Sequence, residues 1–206
     1  MKKVLILFAH PRFENSRIHR SLLWHIRELP CVTLHDLYEE YPHFNIDVAR
    51  EKEILQAHDI IVWQHPIYWY NCPALLKQWI DLSLEYGWAY GPGGDALSGK
   101  WIFNVVSSGG LRQAYSEEGR HGHTLREFLL PFEQTAKLCK MRYLPPFAAQ
   151  GAHQIDHESL QTLGQTYAQL IRFLTLLDRE DALSALEGFP LMNDIPDLMS
   201  EKAATQ

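Results

Sequence analysis

Cysteine is scarce. Cys31, Cys72 and Cys139 are the only three, far apart and odd in number, and no CxxC pair occurs. That argues against a zinc site, a thioredoxin-type dithiol and a disulfide scaffold. Long apolar runs are missing too, since no window approaches the ~18 residues of a membrane-spanning helix. The apolar stretch after Met1-Lys2-Lys3 is short and has no small-residue cleavage site behind it, so it reads as a strand and not as a signal peptide. Positive charge is in deficit, with 19 Lys and Arg against 25 Asp and Glu and a formal net charge of −6. General affinity for nucleic acid is therefore not expected, and no basic amphipathic segment reads as a membrane anchor. GxGxxG is absent after the first apolar run, and GxxxxGK[ST] is absent altogether. A Rossmann dehydrogenase and a P-loop nucleotidase are thus both poor readings.

What is present is enough for one domain. With 206 residues, 46% of them hydrophobic and 21% charged, the chain can bury a substantial core and leave a tail. Residues 1–178 read as that domain and 179–206 as a C-terminal extension, in which Gly188, Pro190 and Pro196 argue against a long helix. Cytoplasmic placement is expected.

The chain is organised around residues 59–77. Ile60 to Val62 is an uncharged β-branched run suited to a strand buried on both faces. A short aromatic loop, Ile67 to Tyr70, follows, and Pro73 marks the first turn of a helix carrying Leu75, Leu76, Trp79 and Ile80 inward. Other buried strands are expected at Val4–Ala9, Val32–His35, Trp101–Val106 and Tyr143–Ala148. Helices are expected from Ser16 to about Glu28, Val48 to Ala57, Thr124 to Lys140 and Glu158 to Leu177, with Asp36 to Asp47 irregular. Alternation of this kind predicts an α/β, doubly wound five-stranded parallel sheet with helices on both faces, read here in the order 2-1-3-4-5. Strands one and three then meet at the topological switch point, where such sheets bind ligands.

Three loops converge there: His10 to His19, Ile67 to Tyr70 and Ser107 to Gly110. Ser16 at a helix start offers free N–H groups to a phosphate, although a plain N-cap serine looks the same. His10 before Pro11 either faces an anionic ligand or closes a strand. Gly109 and Gly110 let backbone approach a flat ring, as an ordinary turn also would. Tyr115 and His121 lie in a polar loop beside that edge, where a phenol and an imidazole can serve charge developing on a ring. His121-Gly122-His123 has no carboxylate or cysteine beside it and is not read as a metal site.

These residues resemble a known family. Leu5-Ile6-Leu7-Phe8-Ala9-His10, the run Gln64 to Tyr70 with Pro73-Ala74-Leu75-Leu76-Lys77, Ser107-Ser108-Gly109-Gly110 and Tyr115-Ser116-x-x-Gly119-x-His121-Gly122 are similar to the flavodoxin-like NAD(P)H:quinone oxidoreductases. The likeness runs from Val4 to about Phe173. Asp36-Leu37-Tyr38, Gly91-Pro92-Gly93-Gly94 and Cys139-Lys140-Met141 further resemble the ancillary subunits of bacterial glutathione-regulated potassium-efflux systems.

The resemblance implies roles residue by residue. His10, Ser16, Arg17, Ile18 and His19 would hold the phosphate and ribityl chain of FMN, with FAD the second choice. Ile67, Tyr68, Trp69 and Tyr70 would line the flavin ring, and Ser107, Ser108, Gly109 and Gly110 would cover its polar edge. Tyr115 and His121 match the catalytic pair. Hydride from NAD(P)H would pass through the flavin to a quinone, by ping-pong kinetics, in a homodimer. The partner implied is the cytosolic domain of a potassium-efflux membrane protein, reached peripherally at the inner membrane. One departure stands out: those ancillary subunits usually carry asparagine at the position of His19. A non-catalytic flavin-binding regulator, and an azo- or nitroreductase without a channel partner, are the alternatives.

Overall fold

The computed structural model describes residues 1–177, 186 and 188–195. Three strands, β1 (Val4–Phe8), β3 (Ile60–Pro66) and β4 (Trp101–Ser108), are buried at every position, as their mainly apolar sequences suit, with Gln64, His65, Asn104, Ser107 and Ser108 the buried polar exceptions. They pair in parallel, with Val4 opposite Ile60 and Ile60 opposite Trp101. β2 (Val32–Asp36) lies outside β1, so the order 2-1-3-4-5 is observed. Alternate residues feed two cores. Val4, Ile6 and Phe8 pack under α1 (Arg17–Ile26) and α7 (His157–Leu176). Leu5, Leu7 and Ala9 share the opposite core with α3 (Val48–Gln56), α4 (Ala74–Ser83) and α6 (Leu130–Leu138). Each of the larger side chains among these, Val, Leu, Ile or Phe, contributes about 1.5–3 kcal/mol on burial.

The fifth strand position departs from expectation. Instead of one strand over Tyr143–Ala148 there are two, β5 (Arg142–Tyr143) and β6 (Phe147–Gln150), both paired to β4, giving six strands. Tyr143 faces Ile102 and Phe147 faces Val105, so three residues, Leu144–Pro146, span the interval opposite Phe103 and Asn104. Pro145 and Pro146 have no N–H to give a ladder, and the extra residue makes a bulge. The helix expected over Thr124–Lys140 is also two, α5 (Leu125–Phe128) and α6. A Thr124/Glu127 capping box starts the first, and Pro131 sits in the first turn of the second. The stretch Asp36–Asp47 contains a one-turn helix, α2 (Leu37–Glu40), capped by Asp36.

Part of the C-terminal extension is ordered against the sheet. Met192 N–H donates to Pro146 O at 2.9 Å. The Asn193 amide takes the place of a neighbouring strand: Ala148 N–H donates to its Oδ1 at 2.8 Å and its Nδ2 donates to Ala148 O at 3.1 Å. That side chain blunts the open edge of β6. Within the extension, residues 179–185, 187 and 196–206 lie outside the described residues. No helix among those described is long and apolar enough to cross a membrane.

Candidate functional site

A cleft of about 510 Å³ opens at the carboxyl ends of β1, β3 and β4. Its first wall is the loop after β1. Ser16 caps α1, accepting from the His19 N–H at 3.2 Å. Arg20 N–H is taken by Ser16 O. The N–H groups of Arg17 and Ile18 have no acceptor among the described residues, and both residues line the cleft. Arg12 and Asn15 line it beside them. Two free N–H groups at the positive end of a ten-residue helix, with two guanidinium-bearing residues, are a cradle of donors with the chemistry to hold a phosphate. His10 also lines it; its Nδ1 accepts from Arg12 N–H at 3.1 Å, which leaves Nε2 to carry the proton. Burial lowers the pKa of His10 against a smaller opposing pull from Glu14.

The second wall is flat and depends on backbone. Ile67 N–H donates to Ser107 O at 2.8 Å, tying the end of β3 to that of β4. Residues 68–71 then close a two-residue turn, with Tyr68 and Asn71 exchanging both backbone hydrogen bonds. Its central residues, Trp69 and Tyr70, both have positive φ, 49° and 63°. Such a turn ordinarily holds Asn-Gly, and a non-glycine residue there carries roughly 1–3 kcal/mol of strain. The turn displays its rings: Trp69 is 94% exposed, and Tyr70 stacks on Phe128 at 5.2 Å. Replacing Trp69-Tyr70 by Asn-Gly should therefore raise Tm by about 2–4 °C while weakening ligand affinity, a pairing that thermal melts and ligand titration check together. A lowered Tm would mean that the rings hold the turn.

Ser107, Ser108 and Gly109 form the floor. A Cβ on Gly109 would come to 3.4 Å from His153 Nε2, and one on Gly110 to 3.1 Å from Tyr115 Cε2. Both contacts are tight for added side chains. Tyr115 and His121 are neighbours, with ring centroids 4.6 Å apart, and Tyr70 lies 5.5 Å from His121. They stand beside Gly110 at the rim and are not part of the cleft wall. His19 is fully buried and does not line the cleft. Its ring reaches Ser107 Oγ from below at 2.9 Å. His65 is also internal. It donates from Nδ1 to Pro66 O at 3.0 Å and accepts at Nε2 from Asn104, whose Oδ1 accepts from Tyr143. Burial pushes its pKa down to about 4, so the ring is neutral and serves as a brace.

The sequence pattern of the flavodoxin-like fold matches residues 2–171. The chain belongs to the flavodoxin-like family. One relative, the glutathione-regulated potassium-efflux system ancillary protein KefG of Enterobacter sp. (strain 638), is 41% identical over 81% of this chain and 91% of its own length. Among solved structures, the general stress protein 14 of Treponema denticola in complex with FMN superposes with a TM-score of 0.80 at 41% identity, covering 84% of this chain and 99% of that one. An NADPH-quinone reductase from P. pentosaceus gives 0.75 at 33% identity, over 82% and 96%.

Two parts of the site have no signature in the sequence. Ala152 and His153 line the cleft from the loop after β6, held there by Ala152 N–H to Ser108 O and Gly151 N–H to Gly110 O, each 2.9 Å. The split of the fifth strand is what brings that loop to the floor. Arg12 and Asn15, which belong to no motif, line the cleft beside the start of α1, and Arg12 adds charge there. A donor-rich cradle at one end and a glycine floor under aromatic cover at the other fit the two ends of FMN.

Proposed function

We propose that this protein is an FMN-dependent NAD(P)H:quinone oxidoreductase that serves as the ancillary subunit of a glutathione-gated potassium-efflux system. One observation carries the flavin reading: uncommitted N–H groups at the start of α1 and the glycine floor at the end of β4 share a single cleft. When bound, the flavin would supply the two-electron carrier between NAD(P)H and quinone. The chain's own residues would do the rest. Arg12, Arg17 and the α1 N-terminus would anchor the phosphate, while Ile67, Tyr68 and the floor would fix the ring plane. Tyr115 and His121 would serve as the catalytic pair, meeting charge that develops at the ring from the rim. NAD(P)H and quinone would use the same open side in turn, which gives ping-pong kinetics.

FMN is preferred to FAD because the cradle ends the cleft with phosphate donors. The exposed Trp69 and Tyr70 beside the cleft support a homodimer whose second protomer covers the open side. The names of the curated relatives support a potassium-efflux protein as the membrane partner. The first test is the visible absorption spectrum of purified protein, before and after anaerobic NADH. Bands near roughly 370 and 450 nm that bleach and then recover with a quinone are expected. A colourless protein that takes up neither FMN nor FAD would refute the assignment.

A further inference from the structure

Below the cleft floor, four side chains from α7, β3, α1 and β4 form a hydrogen-bonded row. The Tyr167 hydroxyl lies 2.9 Å from Gln64 Oε1. Gln64 Nε2 is 3.3 Å from His19 Nδ1, and His19 Nε2 is 2.9 Å from Ser107 Oγ. Tyr167, Gln64 and His19 are fully buried, whereas Ser107 lines the cleft.

The sense of the row is decided at its buried end. Tyr167 has no other hydrogen-bond acceptor among the described residues, so its proton goes to Gln64 Oε1. Gln64 then presents its NH₂ to His19, which must accept at Nδ1 and carry its proton on Nε2. Burial, with His10 and His65 nearby, holds His19 well below the usual histidine range, so the ring is neutral and has one proton to place. That proton goes to Ser107 Oγ. The Ser107 hydroxyl proton has no acceptor among the described residues and is left for an occupant of the cleft. Flipping the Gln64 amide would reverse every bond. It would also strand the Tyr167 proton in a dry interior and turn the Ser107 proton inward, away from the cleft.

We propose that Tyr167, Gln64 and His19 are positioning residues that commit Ser107 to donate a hydrogen bond into the cleft, so that a bound ligand must present an acceptor there. The ligand's identity rests on the flavin reading above, in which the acceptor is a carbonyl oxygen or ring nitrogen. The direction of the row does not depend on that reading.

Nitrogen-15 NMR of the histidine rings in ligand-free protein tests the direction. His19 is expected as the Nε2–H tautomer, and an Nδ1–H tautomer overturns the proposal. Tyr167→Phe removes the proton that orients Gln64, so His19 should then show both tautomers. The same variant should raise the Kd for FMN, read by flavin fluorescence quenching, about five- to tenfold. Ser107→Ala should weaken FMN by a similar factor, and the double variant no more than Ser107→Ala alone. Additive losses, or wild-type tautomer and affinity in Tyr167→Phe, overturn the proposal. Wild-type protein that binds no FMN defeats the flavin reading and with it the ligand of Ser107, while the tautomer still decides the row.

Discussion

A double variant, Tyr115→Phe with His121→Ala, is expected to slow flavin reduction by NAD(P)H by about 10²-fold while changing FMN affinity little. Both rings stand over Gly110, 4.6 Å apart, and neither makes a hydrogen bond among the described residues. A phenol and an imidazole left without partners at the rim of a ligand cleft are free to donate when charge develops there. Positioned donors of this kind contribute roughly 10²–10⁴-fold to a rate. They do not line the cleft itself, so removing them should spare ground-state binding. Stopped-flow absorbance at the flavin band separates the two quantities. Unchanged reduction with weakened FMN would make the pair a binding element, and unchanged values of both would remove it from the mechanism. Tyr115→Phe alone should keep the packing with His121 and Phe128, which distinguishes a lost proton donor from a collapsed loop.

The central strands were legible because a strand buried on both faces is written as a largely apolar run: Val4–Phe8 and Ile60–Val62 are unbroken, and Trp101–Val106 is interrupted only by Asn104. Alternation with helices makes the sheet parallel and doubly wound, but does not by itself fix the order 2-1-3-4-5. The ends were harder to read. Ser107 and Ser108 belong to β4 although serine is a poor strand signal, because pairing with Pro66 and Gln150 extends the ladder past its apolar part. The turn at Trp69-Tyr70 has no signature at all: glycine or asparagine ordinarily marks positive φ, and here two aromatics accept the strain. Tail packing was equally hidden. Asn193 replaces a strand with one amide, and the paired Arg112–Asp194 contacts at 2.6 and 2.7 Å join residues 82 positions apart. For His19, the family likeness implies a place beside a ligand phosphate, whereas its ring is turned under the floor toward Ser107. Long-range polar partners leave no periodicity behind, so pattern reading cannot find them.

Glu51 is the extreme case of such a partner, and its replacement should have the largest effect on stability. Nothing in the sequence of α3 distinguishes it from the surface glutamate Glu53, yet it is fully buried. Its Oε1 accepts from His35 Nε2 at 2.8 Å and from Tyr41 OH at 2.5 Å, and its Oε2 accepts from Trp79 Nε1 at 2.7 Å. One carboxylate thus ties α3 to the end of β2, to the residue that closes α2 and to α4. Burial alone would raise its pKa, but the bonds from His35, Tyr41 and Trp79 outweigh it and hold the carboxyl below its ordinary value of 4.5. Glu51→Leu leaves three buried donors without an acceptor and should cost about 3–5 kcal/mol, or roughly 10 °C in Tm. Glu51→Gln should cost less, since its amide oxygen can serve Trp79 while Tyr41 and His35 turn to accept from its nitrogen. The two variants also separate charge from packing. Because the folded pKa is depressed, the stability that ionisation contributes is present above the unfolded value and lost as pH falls through the folded one. The gap between wild type and Glu51→Gln in urea melts should therefore be flat from about pH 5 to 7 and narrow below about pH 4.5. A gap that ignores pH would mean that the site holds a neutral acid. A Glu51→Leu protein within 1 kcal/mol of wild type would mean that the three donors find other partners.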